Sequence, residues 1–152
     1  MSPGTLRLVM NLWPPYLFTG VHVKRIASDW SSAEVELRAR PWNRNYVGTH
    51  FGGTLFSMTD PFFMLLVLRS LGKDYIVWDK QAEIDFVNPG RGLVRCQFQV
   101  PRTALDDIRS ATASGEKYLR WFETEIRGDD GVVVARVRKQ LYVRLKPGRQ
   151  AG

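Results

Sequence analysis

The stretch that decides the fold runs from Gly52 to Leu71 and reads GGTLFSMTDPFFMLLVLRSL. Apolar residues occupy nearly every position around a helix of this length, and a helix without a polar face is buried rather than lying on the surface. We therefore expect a long central helix over residues 52–71. Pro61 should kink it, because proline removes one backbone donor, and Gly72 predicts its C-terminal end.

The segments on either side of this helix alternate between apolar and polar residues, which is typical of strands. One long apolar helix must be enclosed, and a curved antiparallel sheet of five or six strands does this. The order of elements therefore predicts an α+β fold. We expect strands near residues 21–26, 33–39, 75–87, 94–100, 118–127 and 132–145, a short helix near 103–114, and a helical lead-in near 4–18.

The composition is that of an ordinary globular protein, with 152 residues and a hydrophobic fraction of 44%. We expect one domain over residues 1–152 that ends in a basic tail at about 146–152. A single cysteine excludes an intrachain disulfide, and two histidines are too few for a His-rich metal site, so no metal is expected. No secretion signal is recognisable, and the longest apolar run, Phe62 to Leu68, is far shorter than the ~18 residues of a membrane span. A cytoplasmic protein that does not enter a membrane is the expectation.

The net charge of +7 attracts anions in general. It is compatible with nucleic acid, with anionic lipid, or with a phosphate-bearing small molecule such as coenzyme A. Zinc motifs, RNA-binding aromatic motifs and a basic recognition helix are not recognisable, so a nucleic-acid partner is the least favoured of these.

The segment from Asn45 to Asp60, NYVGTHFGGTLFSMTD, resembles the signature of the PaaI-like hotdog thioesterases. An Asn, a Gly, a His-Gly-Gly and then an Asp or Glu mark the loop and the first helical turns in that family. Residues 83–92 also resemble its third strand and the following turn. The resemblance covers roughly residues 20–145. It implies a hotdog fold, an acyl-CoA or related thioester as substrate, and a homodimer or dimer of dimers. No cofactor is expected beyond the coenzyme A of the substrate.

One position departs from the family pattern. The family's histidine directly precedes the Gly-Gly pair, and Phe51 stands there in this chain, with His50 one residue earlier. A displaced His50 that still reaches the site is one interpretation. The other is that its role is absent.

Thioester hydrolysis requires a polarised carbonyl and an activated water or a carboxylate nucleophile. Gly52 and Gly53 at a helix start let a ligand approach the backbone, and the Gly53 N–H is the best candidate to stabilise an oxyanion. Asp60 is the one formally charged residue between positions 44 and 69, which makes it the candidate general base or nucleophile. Asn45 is the candidate that orients the water or the carbonyl. The alternative for Asp60 is a capping or pairing role at a dimer interface.

Three further residues are candidates for substrate binding. Phe51 lies next to the glycine pair. Lys80 has the inward parity of its strand, beside Trp78, and is interpreted as a counter-charge for Asp60 or a substrate phosphate, or as a snorkelling edge lysine. Arg91 lies in a Pro-Gly-Arg-Gly turn and either contacts a coenzyme phosphate or is solvated.

Asp60 lies two helical turns after Gly53. In the proteins that the chain resembles, the dimer places the carboxylate of one subunit against the loop of the other, which implies two composite sites per dimer. The leading hypothesis is an acyl-CoA thioesterase that works in this way. The alternatives are a non-catalytic acyl- or CoA-binding protein with the same fold, and a hotdog dehydratase in which His50 acts together with an acid.

Overall fold

The structure, a computed structural model, describes residues 1–149. Six antiparallel strands form one sheet in the order β1-β2-β4-β5-β6-β3, and the helices lie against it, which confirms the predicted α+β class. The elements in chain order are α1 (Pro3–Leu12), α2 (Pro14–Thr19), β1 (Val21–Ile26), β2 (Ser32–Arg38), α3 (Gly52–Ser57), α4 (Phe62–Leu71), β3 (Tyr75–Phe86), β4 (Leu93–Gln99), α5 (Arg102–Thr112), β5 (Tyr118–Gly128) and β6 (Val133–Leu145).

The core lies between α4 and the inner face of the sheet. Phe62 and Phe63 of α4 are both 1% exposed. Their rings pack on Phe98 of β4 at centroid distances of 4.8 and 5.2 Å, and Phe63 also stacks on Phe122 of β5 at 5.1 Å. Burying each of these rings contributes about 1.5–3 kcal/mol. This packing is why an apolar helix with no polar face is compatible with the fold.

The central apolar segment consists of two helices. The expectation of one kinked helix over residues 52–71 is wrong in this respect, since α3 ends at Ser57 and α4 begins at Phe62. The intervening residues form a turn in which the Thr59 N–H donates to the Phe56 carbonyl at 3.0 Å and the Asp60 N–H to the Ser57 carbonyl at 3.1 Å. Pro61 cannot continue the hydrogen-bond ladder, so it separates the two helices instead of bending one.

The N-terminal lead-in also consists of two helices. The predicted lead-in near residues 4–18 is interrupted at Trp13, and Pro14 is the first residue of α2, a position where its missing N–H costs nothing. Asn11 attaches the lead-in to the sheet, because its side chain accepts from the Val23 N–H at 2.7 Å and donates to the Val23 carbonyl at 3.1 Å. Tyr16 of α2 is 1% exposed and packs on Phe62 with a centroid distance of 6.3 Å.

Strand β3 contains a bulge that changes which residues face the core. Its pairing with β6 shifts between Asp79 and Gln81, so Lys80 is the extra residue. Before the bulge Val77 and Asp79 point inward, whereas Trp78 and Lys80 are exposed. The predicted inward position of Lys80 is therefore wrong, since one inserted residue reverses the alternation.

The basic tail follows β6. The Lys146 Nζ donates to the Lys73 carbonyl at 2.5 Å, and Arg149 pairs with Asp74 at 3.4 Å. The remaining part of the predicted tail, residues 150–152, lies outside the described residues.

The apolar segment Gly52–Leu71 is long and apolar enough, by length and composition, to cross a membrane, with a hydropathy of 1.3. In the fold it supplies the core, since Phe62, Phe63, Leu66 and Val67 are at most 1% exposed.

Candidate functional site

Asp60 lies in the turn between α3 and α4. Its side chain is 55% exposed, so the carboxylate is accessible to solvent in the isolated chain although the helices on both sides are apolar. The Tyr16 hydroxyl donates to the Asp60 main-chain carbonyl and lies 3.4 Å from the Ser57 carbonyl. Burial raises the pKa of Tyr16 far above its ordinary value, so the phenol stays protonated and remains a donor. The phenol of α2 thus fixes the backbone that carries the carboxylate.

The Asp60 side chain lines a pocket of about 410 Å³, named here the Asp60 pocket. Gly53 lines the same pocket, so the carboxylate and the start of α3 face one space within a single chain. The lead-in contributes part of the wall, with Trp13 47% exposed. The lining residues are Trp13, Pro15, Tyr16, Gly53, Phe56, Ser57, Asp60, Ala82 and Lys139.

Two charged residues that the sequence reasoning missed lie behind Asp60. The Lys139 Nζ donates to the Asp60 Oδ1 at 2.7 Å and lies 3.6 Å from the Asp79 Oδ2, and the lysine side chain is 4% exposed. Burial raises the pKa of Asp79, while the nearby Lys139 ammonium opposes this shift and the Asp60 carboxylate adds to it. The sequence could have indicated Lys139 as an inward-facing residue, because it alternates in β6 with the same parity as Val137 and Leu141.

A second pocket of about 400 Å³, named here the His50 pocket, opens beside the loop that precedes α3. Asn45, His50 and Gly52 all line it. Phe86 of β3 lies so close to Gly52 that a Cβ there would lie 2.9 Å from the ring, so a larger residue would require the exposed Phe86 side chain to move. The lining residues are Asn45, Val47, Thr49, His50, Gly52, Leu55, Phe86, Val87, Asn88, Pro89 and Gly90.

His50 is 2% exposed, and its Nε2 lies 3.1 Å from the Gly92 carbonyl. A carbonyl can only accept, so Nε2 carries the proton and Nδ1 keeps a lone pair. Among the described residues nothing pairs with Nδ1. Burial lowers the pKa of His50, which favours the neutral ring.

Asn45 closes the loop in which it lies. Its Oδ1 accepts from the Thr49 N–H at 3.0 Å, and its Nδ2 donates to the Thr49 hydroxyl at 2.9 Å and lies 3.4 Å from the His50 carbonyl. The amide group is therefore committed to loop geometry, and the structure gives it a positioning role for Thr49 and His50.

Phe51 lies at the N-terminus of α3, where the family pattern has a histidine. Its side chain is 55% exposed, and its ring lies directly over Gly53. A Cβ added to Gly53 would be only 2.5 Å from this ring. The Phe51 carbonyl accepts from the N–H groups of Thr54 and Leu55 at 3.0 and 3.1 Å. The N–H groups of Gly52 and Gly53 come just before these donors, in the first turn of α3. Backbone N–H groups at this place have no carbonyl partner within the helix.

The two remaining candidates lie outside both pockets. Lys80 is exposed at the bulge of β3, and the counter-charge proposed for it next to Asp60 is supplied by Lys139 instead. Arg91 is exposed directly after Gly90, at the rim of the His50 pocket.

Five of the eight predicted site residues thus line one or the other pocket. Asp60 and Gly53 share the Asp60 pocket, whereas Asn45, His50 and Gly52 line the His50 pocket. Both pockets border β3, with Ala82 in the first and Phe86 in the second.

Comparison with solved structures defines the class of fold. The chain is similar to a protein of unknown function from Pseudomonas aeruginosa, described as a probable thioesterase, with a TM-score of 0.82 and 17% identity over 94% of this chain and 96% of that one. It is similar to a thioesterase from Haemophilus influenzae, with a TM-score of 0.69 and 12% identity over 98% and 94%. The PaaI protein of the E. coli phenylacetic acid degradation operon gives a TM-score of 0.60 and 18% identity over 89% and 85%. The chain therefore has the hotdog fold and is thioesterase-like in structure.

The family follows from the sequence itself. The chain belongs to the family described as Domain of unknown function DUF4442, whose model matches residues 5–143. None of the curated proteins matches the sequence.

Proposed function

We propose that the protein is an acyl-CoA thioesterase in which Asp60 is the general base or nucleophile. The observation that carries this proposal is that Asp60 and Gly53 line one pocket of about 410 Å³. A carboxylate and a free helix-terminal N–H in the same space are the two elements that thioester hydrolysis requires. The likeness to the hotdog thioesterases supports the same reaction.

The proposed chemistry begins with the thioester carbonyl near the N-terminus of α3. The Gly53 N–H stabilises the negative charge that develops on the carbonyl oxygen. Asp60, whose side chain is 55% exposed, either accepts a proton from a water molecule that attacks the carbonyl carbon, or attacks that carbon itself. In both cases the carbon–sulfur bond breaks and the coenzyme A thiolate leaves. Direct attack leaves an anhydride on Asp60, which a water molecule then hydrolyses to the free acid. The excess of positive charge on the chain, including the exposed Arg91, favours the approach of a substrate that carries phosphates.

A homodimer would complete the site. β3 is an edge strand of the sheet, and its Ala82 and Phe86 border different pockets. Antiparallel pairing of two β3 strands about Ile84 would bring the Asp60 pocket of one copy to the His50 pocket of the other. We include this dimer, with a cytoplasmic location, in the proposal.

Release of free coenzyme A from a panel of short, long and aromatic acyl-CoAs tests the proposal. We expect Asp60→Asn to lower kcat/KM by about 100- to 10,000-fold, the usual contribution of a general base. Asp106→Asn is the matched control, since Asp106 is exposed on α5 and pairs with Arg109 at 3.2 Å. If wild-type protein releases coenzyme A no faster than buffer from every acyl-CoA in the panel, the proposed thioesterase activity is refuted.

Phe51 favours a second candidate, a non-catalytic acyl- or CoA-binding protein. Phe51 stands at the position where the family pattern has a histidine. Its ring lies over Gly53 and shields part of the N-terminus of α3. This candidate predicts that wild-type protein binds acyl-CoA in equilibrium dialysis without releasing coenzyme A.

A further inference from the structure

Lys139 is the most deeply buried cation near the Asp60 pocket. It lies on the inner face of β6, where the alternation of the strand would place an apolar side chain, and its side chain is 4% exposed. Its Nζ lies 5.7 Å from the Phe56 ring centroid. Burying an ammonium group is costly unless carboxylates compensate it, so this lysine requires an explanation.

Two carboxylates lie close to the ammonium group at unequal distances. Asp60 accepts its hydrogen bond at 2.7 Å, whereas Asp79 lies 3.6 Å away and is 24% exposed. The Asp79 Oδ1 is buried, and no described residue pairs with it. Asp79 thus adds a second negative charge near Lys139, whose hydrogen bond goes to Asp60.

The contact occupies one of the two oxygens of Asp60. Among the described residues, Lys139 is the hydrogen-bond donor to the Asp60 side chain, through Oδ1. Asp79 is a second ionisable neighbour of this carboxylate. Tyr16 contacts the same turn, and its hydroxyl donates to the Asp60 main-chain carbonyl. Backbone and side chain of Asp60 are therefore fixed from two different elements, α2 and β6.

We propose that Lys139, anchored by Asp79, is a positioning residue that holds the Asp60 carboxylate directed into its pocket. The inference rests on the proposed function, because it gives Asp60 the reacting oxygen. It adds two residues from β3 and β6 to a site otherwise built from α3 and the following turn. An ordered carboxylate reacts faster than a mobile one, since a misplacement of about 1 Å can lower a rate about 100-fold.

Kinetics of Lys139→Met test this role. We expect kcat to fall about 100-fold with little change in KM. Lys139→Arg keeps the charge and should recover part of kcat. Arg138→Met is the matched control, since Arg138 lies on the opposite face of β6 and pairs with Glu83 and Glu123 at 3.2 and 3.0 Å.

A second variant allows for poor folding of Lys139→Met, which leaves Asp79 without its cation. The double variant Asp79→Asn, Lys139→Met removes both buried charges, and it should fold and show the same fall in kcat. A folded variant of either kind with the wild-type kcat would overturn the proposal. A fall in thermal stability with kcat unchanged would also overturn it, since that is the result of a purely structural pair.

A measurement without turnover separates this proposal from the thioesterase proposal. The carboxyl carbon signal of Asp79 is followed by NMR from pH 3 to 8 in wild type and in Lys139→Met. Asp79 should take up its proton at higher pH in the variant, because the ammonium group that opposes the effect of burial is gone. If wild type hydrolyses no acyl-CoA but the signal shifts in this way, the enzyme proposal fails and the pairing stands. An unshifted signal would refute the role of Lys139 whatever the activity.

Discussion

Asp79 and His50 are two ionisable residues whose burial couples protonation to folding. Burial opposes the charged form of each, so it raises the pKa of the Asp79 carboxyl and lowers the pKa of the His50 imidazole. A group whose pKa differs between the folded and the unfolded chain makes stability depend on pH. The two residues should act in opposite directions, because Asp79 binds a proton more tightly in the folded state and His50 less tightly.

For Asp79, the raised pKa means that its contribution is fully favourable below the unfolded value of about 4 and is lost as the pH rises through the folded value. Asparagine cannot ionise and avoids this loss. We expect the unfolding temperature of wild type, relative to that of Asp79→Asn, to fall as the pH rises from 4 to 7. Thermal unfolding across this range measures it, with the exposed Asp85→Asn as control. A difference that is the same at every pH would contradict the prediction.

For His50, the lowered pKa means that its contribution is present above the unfolded value of about 6.5 and is lost as the pH falls towards the folded value. We expect wild type to lose more stability than His50→Gln between pH 7 and pH 5. Urea unfolding at both pH values gives the two losses, and comparing losses removes the constant cost of the missing bond to Gly92. The exposed His22→Gln should behave like wild type. Equal losses in His50→Gln and wild type would count against the prediction.

At the scale of elements, the turn between α3 and α4 depends on the lead-in. Tyr16 of α2 supplies a hydroxyl to the main-chain carbonyl of Asp60 and approaches that of Ser57. α2 therefore stabilises a helix break that belongs to the candidate site, although it lies 44 residues earlier in the chain.

Removing this hydroxyl should loosen the turn. We expect Tyr16→Phe to lower the free energy of unfolding by about 1–3 kcal/mol, the cost of leaving a buried polar group without its partner. If Asp60 acts as proposed, kcat should fall as well. Urea unfolding and coenzyme A release measure the two effects. Tyr46→Phe is the control, because the side chain of Tyr46 is fully exposed. Unchanged stability in Tyr16→Phe would show that the hydroxyl does not hold the turn.

The elements were more predictable than the faces they present. Alternation and apolar content located all six strands and the central segment, because both signals extend over many residues. The inward position assigned to Lys80 failed at a single bulge, since one extra residue reverses the alternation and leaves no mark in composition. Lys139 was accessible from the alternation of β6 but was missed. Its partner Asp79 could not be predicted without the bulge.

The candidate site was predictable in its glycines and in Asp60, which a short segment carries. Its division into two pockets was not, because that depends on how β3 passes both Gly52 and Ala82. The hydrogen bonds that commit Asn45 to Thr49 were equally hidden, since they depend on the shape of the loop.

At the scale of the whole molecule, the sheet ends in two edge strands, β1 and β3. A free edge can pair with a second chain. β1 has the lead-in packed against it through Asn11, whereas β3 borders both pockets. The edge at β3 is therefore the one through which two copies would combine their halves of the site.

Co-expression of two inactive variants tests this assembly. Asp60→Asn damages the Asp60 pocket and His50→Ala the His50 pocket, so a mixed dimer keeps one composite site free of both changes. If His50→Ala alone is inactive, random pairing should restore about one quarter of the wild-type activity. Mixing either variant with itself is the control. Sedimentation must also give a dimer. No recovery in a proven mixed dimer would mean that each chain works alone.

The position of Trp13 in the wall of the Asp60 pocket has an optical consequence. The chain has five tryptophans, and Trp13 alone lines this pocket among the described residues. Its indole is 47% exposed and lies 5.5 Å from the Tyr16 ring. A ligand that fills the pocket would replace water around this one chromophore and shift its emission to the blue. The occupancy of the site can thus be read from intrinsic fluorescence, without a label and before any bond is broken.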